Sequence, residues 1–517
     1  HLRHNDGSVI ACCTQGAILL AYLFVPAWLV LGCLLCVSSA QAAPPPLFMP
    51  PVAAPASSSA ASRTLALEEA VRIGLAFNRT IQAAYLGRDT QWFDLYVAEG
   101  KFIPKTTLSG SYKTLSGAGG RARQIDGGVT SSLALPTGGT LSLSTARSLL
   151  PEQGQRSTLS SLTLTQPLLK NAGWAVAMSS IVQARLNDAS SRIGLQNTVA
   201  QTVAQIIYSY RNLLRAQEQI KIADDSLTRA RRFLEMNQAL AQAGRIPPVD
   251  VIQAEADVAN QALALEENHN QLDSQRLELL NLLSLDLDTA LTAQADAWGL
   301  AVRLATPEQV DALIEQHPDY WAARLSLARA RQRVLLANNQ QLWDVALVAG
   351  LTQAQGGANQ GEAKKVDKYL GAQLSIPLFD RSIEQARVSA ENDLKTEKIQ
   401  LAQTRQTLRG KILNAMRNVQ ARARQAELAD KAAELTRQKL QAEQEKLKYG
   451  RSSSFQVILF ENDLRAAENN RLNARLAYLN SQVEWLLATG KLLDAWQAPL
   501  ISHADVQTLL EADDEDA

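Results

Sequence analysis

Apolar positions recur along this chain with two periods. In one long run Val199, Val203, Ile206, Tyr210, Leu213, Ile220, Leu227 and Leu234 step by three, four or seven, the spacing of one face of a helix. Two seven-residue ladders follow, Val251, Val258, Leu265, Leu272, Leu279 and Val457, Leu464, Arg471, Tyr478, Trp485, Leu492, and these predict coiled-coil seams. The helix from Ala172 to Ala243 would reach about 100 Å. Elsewhere the period falls to two, which predicts strands. Leu108, Gly110 and Tyr112 alternate with Thr107, Ser109, Ser111 and Lys113, and Leu162 and Leu164 alternate with Ser161, Thr163 and Thr165. In the second half Val345–Gln353 alternates poorly, whereas Leu370, Ala372, Leu374 and Ile376 share one face. Each half therefore reads as helices, a strand pair, then long helices: an α+β chain that is mostly α.

The halves also repeat in detail. AGRIPPVDVIQAEADV (Ala243–Val258) returns as YGRSSSFQVILFENDL (Tyr449–Leu464), with Gly244 over Gly450, Val251 over Val457, Glu255 over Glu461 and Asp257 over Asp463. Such self-similarity marks an internal duplication. Both glycines fall just past a long helical run, where a left-handed C-terminal cap suits glycine. Pro247 and Pro248 suit the first turn of the following helix, and Asp250 stands in its electropositive end. Each stretch predicts the tip of a helical hairpin. LALEEAVRIGLAFNRTIQAA (Leu65–Ala84) and PEQVDALIEQHPDYWAAR (Pro307–Arg324) open the halves similarly.

Charge excludes one class of partner: 51 basic and 51 acidic residues in 517 give no electrostatic case for nucleic acid. Residues 1–42 form their own zone, an apolar run from Ala17 to Val37 and then Ser38-Ser39-Ala40-Gln41-Ala42. This is expected to be a secretory signal peptide cut after Ala42, with a single-pass anchor as the alternative. Leu31-Gly32-Cys33 hints at a lipoprotein signal, but Leu31 is large for its place and apolar residues continue past Cys33. All four cysteines (Cys12, Cys13, Cys33, Cys36) lie in this zone, so a chain cut there has no disulfide. Residues 43–62, rich in Pro, Ala and Ser, read as a linker. The remaining boundaries are 63–290 for the first repeat, 291–499 for the second and 500–517 for an acidic tail.

The strands pose a problem of closure. One face is small and polar and the other apolar, and four strands are too few for a barrel, since membrane barrels need about eight. Several copies must share one. Against this background the chain resembles the TolC-type outer membrane efflux protein family, from about Leu65 to Leu493. The residues that carry the likeness are LALEEAVRIGLAFN, Pro104, the junctions LTQPLLKNAG (Leu164–Gly173) and LSIPLFDRS (Leu374–Ser382), and the two tips. The resemblance implies a homotrimer in the outer membrane with a large periplasmic portion. Each chain would give four strands to a twelve-stranded barrel and its helices to an antiparallel coiled-coil tunnel. It also implies a passive exit duct for efflux or type I secretion, to which a periplasmic adaptor and an inner-membrane pump dock at the tips. A departure is Gly128–Ala146, whose two alternating segments around Pro136-Thr137-Gly138-Gly139 are either an extracellular hairpin or further strands.

Chemistry is sparse. His269, His317 and His503 are scattered, no metal-ligand spacing or phosphate loop is present, and Glu266-Glu267 reads as a solvated helix face, so neither enzyme nor cofactor is expected. His317, before Pro318, suits a capping or surface role. In the resembled family acidic residues after the second tip can ring the pore entrance; here those positions are Gln456 and Leu459, and only Asp250, in the first tip, remains. The candidate gate is therefore Asp250 with Val249, Phe455 and Gln456, and the candidate docking tips are Gly244, Arg245, Gly450 and Arg451. Asp250 could equally serve only to stabilise its helix, by about 0.3–1 kcal/mol. A periplasmic coiled-coil scaffold without a pore is the competing function, and it leaves the strands unexplained.

Overall fold

A computed structural model describes residues 63–117, 120–150, 155–294, 304–357 and 363–496. The expected signal peptide, the linker and the acidic tail lie outside these residues, as does His503. The opening segment breaks in two, α1 (Leu67–Phe77) and α2 (Arg79–Glu99). Asn78 makes the break: its side chain accepts from the amides of Thr80 (2.8 Å) and Ile81 (3.1 Å) and donates to the Leu282 carbonyl (2.7 Å), a side-chain N-cap. The long helices follow the heptad pattern. They are α3 (Trp174–Gln242) and α4 (Pro248–Leu282) in the first half, α7 (Ser382–Lys448) and α8 (Ser454–Ala488) in the second. Between them lie α5 (Val310–Glu315) and α6 (Pro318–Gln340), and α9 (Leu492–Ala495) ends the described chain. No described helix is long and apolar enough to cross a membrane.

The main core is a belt around the middle of α3. Leu65, Val71, Ile81, Val203, Ile206, Leu213, Leu279, Leu283, Val483 and Leu492 are buried together. Within it the short strands β1 (Arg63–Leu65) and β6 (Leu291–Ala293) pair in parallel, Arg63 with Leu291 and Leu65 with Ala293. The buried Tyr210 hydroxyl joins them, donating to the Leu65 carbonyl (2.9 Å) and accepting from the Gln294 amide (3.0 Å). Arg211 next to it donates to the Leu479 carbonyl (2.7 Å), which ties α3 to α8; burial pushes this guanidinium down to about 10.

The sheet corrects the expected strand count. Among the described residues it has six strands in the order β2-β3-β4-β5-β7-β8, namely β2 (Lys105–Gly117), β3 (Gly120–Ala134), β4 (Thr140–Leu150), β5 (Gln155–Pro167), β7 (Asp344–Gly357) and β8 (Ala363–Ser375). Every pairing is antiparallel. Gly128–Ala146 supplies most of the two added strands, and their turn lies at the helix end of the sheet. The Gly173 amide donates to the Thr137 carbonyl (3.2 Å), and the Thr137 hydroxyl meets Gln166 Oε1 (2.8 Å). Gly138 has φ +90, and a Cβ there would lie 2.1 Å from the Asn171 carbonyl oxygen, so only glycine fits this close approach. The first half thus gives four strands and the second two. A duplicated pattern suggested two from each.

Register separates the faces. Leu133, Leu141, Leu164, Ala349 and Leu370 lie opposite one another in sequence across five strands, and Leu143, Leu162 and Leu351 form the next row. The other face aligns Thr107, Thr130, Ser144, Ser161 and Thr352. The alternation read for Leu162 and Leu164 against Thr163, and for Leu370 and Leu374 against Gln373, is the pairing observed. The poorly alternating Val345–Gln353 is a central strand, where neighbours on both sides outweigh the weak local pattern.

Candidate functional site

Both hairpin tips are built by the same backbone device. At the end of α3 the Gly244 amide donates to the Ala241 carbonyl (2.9 Å) and the Arg245 amide to the Leu240 carbonyl (2.8 Å). At the end of α7 the Gly450 amide donates to Leu447 (2.9 Å) and the Arg451 amide to Lys446 (2.9 Å). Gly244 has φ +68 and Gly450 φ +67. This is the Schellman arrangement, which satisfies carbonyls that the helix end leaves unpaired. A Cβ at either glycine would meet nothing within 4 Å, so the need for glycine is conformational and not steric crowding.

The helices that leave the tips start differently. Pro248 opens α4, where a missing amide hydrogen costs nothing, whereas α8 is capped by Ser453, whose hydroxyl accepts from the Gln456 amide (3.3 Å). Ser453 and Gln456 have the spacing of a capping box, a signal that was present in the sequence. Val249 and Phe455 occupy the same helical position, and so do Asp250 and Gln456. Val249 is 53% exposed and Phe455 62%; Asp250 is half-buried, while Gln456, Arg245 and Arg451 are exposed. The Ser452 hydroxyl donates to Glu443 (2.6 Å) and lies 3.2 Å from Gln456 Oε1. That hydroxyl and the Lys446 ammonium hold the Glu443 carboxyl below its ordinary range.

Behind the tips the two hairpins pack side by side. Phe233, Ala254, Leu440, Leu447, Val457 and Leu464 share one core. Next to it is a polar network that the periodicity did not reveal. Arg229 donates to Glu461 (2.8 Å), Gln444 to the other Glu461 oxygen (3.2 Å), Arg437 to Glu468 (2.8 Å), and Arg465 to Gln261 (2.8 Å), which itself donates to Asp257 (3.1 Å). Burial pushes the Glu461 carboxyl up, and Arg229 pulls it back in part. The seven-residue step from Glu461 to Glu468 was the available signal.

The histidines stay outside this arrangement. His317 caps α6, its Nδ1 accepting from the Asp319 amide (3.1 Å); it is buried, so the surface alternative is corrected. His269, Glu266 and Glu267 are exposed. No group that could hold a metal ion occurs among the described residues. What the tips offer instead is exposed apolar and charged side chains on a rigid turn, a surface for contact and not for bond chemistry.

Comparison with known proteins agrees in kind. Residues 310–491 match the family described as outer membrane efflux protein. The cobalt-zinc-cadmium resistance protein CzcC of Cupriavidus metallidurans is 31% identical over 179 residues, 35% of this chain and 41% of CzcC. The pyoverdine export outer membrane protein OpmQ of Pseudomonas putida is 25% identical over 334 residues, 62% of this chain and 66% of OpmQ. In neither does the match reach two thirds of the relative's length. The crystal structure of the outer membrane protein VceC from Vibrio cholerae superposes with a TM-score of 0.65 at 15% identity, over 82% of this chain and 96% of VceC, a likeness of fold.

Proposed function

We propose that this chain, which belongs to the outer membrane efflux protein family, is a passive exit duct that works as a homotrimer and is coupled through a periplasmic adaptor to an inner-membrane pump. The carrying observation is the sheet. It has a leucine face and a serine/threonine face, and it sits at one end of helices up to 69 residues long. Apolar-out and polar-in alternation suits a lipid-facing wall around water, and strands of 11–15 residues are long enough to span a bilayer when tilted. A scaffold without a pore would leave that face exposed to water.

In this reading the helices hang in the periplasm and the tips form the pore mouth. Val249 and Phe455 close it by packing, Asp250 contributes charge and Gln456 neutral hydrogen bonds. Gly244, Arg245, Gly450 and Arg451 present the docking surface. Nothing in the duct needs to recognise cargo: CzcC and OpmQ carry names that refer to metal resistance and to pyoverdine export, which fits a conduit whose cargo is chosen by its pump. Fractionation of cell envelopes tests the proposal. A heat-resistant oligomer in the outer membrane fraction is expected, and a soluble monomer would overturn it.

A further inference from the structure

From the six-stranded sheet we infer that the shared barrel has eighteen strands, β8 of each copy pairing with β2 of the next. The inference rests on the trimeric reading above. Among the described residues β2 and β8 each pair on one side only, and every described side chain along both is exposed. Each edge runs 13 residues, a row of unpaired amides and carbonyls that must be covered in a bilayer. A second copy of this chain covers it with the right polarity. With an even number of strands per chain, β2 runs away from the helices and β8 toward them, so the closing pair is antiparallel like all the others.

Two observations put the added hairpin inside the wall. The leucine face continues through it, with Val129, Leu133, Leu141 and Leu143 in register with Leu108, Leu164 and Leu162, as lipid contact requires. Its turn is also anchored to the β5–α3 junction through Thr137, Gln166 and Gly173, so it cannot swing out of the sheet without breaking these bonds.

The perimeters then match. Four helices per chain, α2, α3, α6 and α7, connect directly to strands. Three copies place twelve helices at that level, and at ordinary helix spacing their ring measures about 100–120 Å. Eighteen tilted strands measure about 100–125 Å around, but twelve only about 70–85 Å. The added hairpin therefore lets barrel and tunnel join without a step.

Electron cryo-microscopy of the full-length protein purified into lipid nanodiscs decides the count. Eighteen strands in a threefold wall are expected. A twelve-stranded wall with residues 120–150 outside it would overturn this inference and leave the duct standing; absence of a trimer would overturn both. Cysteine pairs replacing Thr106 and Ser131, whose hydroxyls lie 3.1 Å apart, and Ser144 and Ser161, 2.7 Å apart, give a second test in native membranes. Oxidation should cross-link both pairs, and failure of both would reject the hairpin's place in the wall. Deleting residues 120–150 should narrow the barrel by about one third, lowering the size of polymer excluded from the outer side of the pore; an unchanged cut-off would count against eighteen strands.

Discussion

The two halves of the chain agree in their helices and differ in their strands. α3 and α7 have 69 and 67 residues, and α4 and α8 have 35 each; yet the first half gives the sheet four strands and the second two. Helix length is constrained by heptad packing along the seam and, in the proposed duct, by the need for both tips to end at one level. A sheet has no such limit, because inserting a whole hairpin preserves antiparallel order and the side to which every other residue points. The halves also bury different members of aligned pairs. Glu255 is exposed and Glu461 buried, Asp257 buried and Asp463 exposed. The two hairpins share one backbone plan, and the packing of one on the other decides which carboxylates leave water.

The largest test of the comparison is the leucine face. Leu143→Arg in the added hairpin and Leu351→Arg in the second half should each cost about 2–4 kcal/mol near mid-membrane, while Thr163→Lys on the other face should be tolerated. Urea titration of the protein folded in lipid measures this. A harmless Leu143→Arg beside a costly Leu351→Arg would show that the halves do not share one wall.

Next come the caps. Gly244→Val and Gly450→Val place a β-branched residue at φ near +68, where even an ordinary side chain costs about 1–2 kcal/mol. Each should abolish export and leave the oligomer assembled, as shown by drug or metal sensitivity and by oligomer migration on unheated gels. Loss of the oligomer would assign that glycine to folding and not to docking.

A smaller contrast separates the equivalent positions proposed as the gate. Phe455→Ala should raise the closed-state conductance in planar bilayers, and by more than Asp250→Asn does. Asp250→Asn should instead lower cation selectivity and block by divalent cations, since in the proposed trimer three copies at one mouth would repel one another and attract cations. Unchanged selectivity and block would leave Asp250 as a helix stabiliser only.

The smallest effect concerns Glu461. Its carboxyl is pushed up by burial, so the folded state holds the proton more tightly than the unfolded chain. That contribution is complete below the ordinary value near 4.5 and is lost as pH rises through the raised one. Glu461→Gln should flatten thermal stability across this window, and Glu255→Gln, at the exposed counterpart, should not. Equal pH profiles for Glu461→Gln and the unaltered protein would dismiss the role of burial.

Much of the helical architecture was legible because periodicity is local. The expected run Ala172–Ala243 differs from α3 by about two residues at its start, and both cap glycines announced themselves by position. The six-stranded sheet was legible only in part. Arg121–Asp126 shows no alternation, because pairing with Ser111–Ser116 of β2, not its own pattern, holds it in β3. β1 and β6 escaped notice, since three residues cannot display a period. The Glu461 network escaped because a charged residue on a helix reads as solvated until a second hairpin is known to cover it.

Tyr210 has a mechanical consequence. Its hydroxyl fixes the β1–β6 ribbon to α3 close to that helix's midpoint, and Arg211 ties the same place to α8. A rod clamped at its centre is a lever. About thirty residues, some 48 Å of helix, separate the clamp from the tip, so a tilt of about one degree there displaces the tip by about 0.8 Å. A movement too slight to disturb the belt's core is thus enlarged at both ends of α3, at the tip and, in the opposite direction, at the end that adjoins β5.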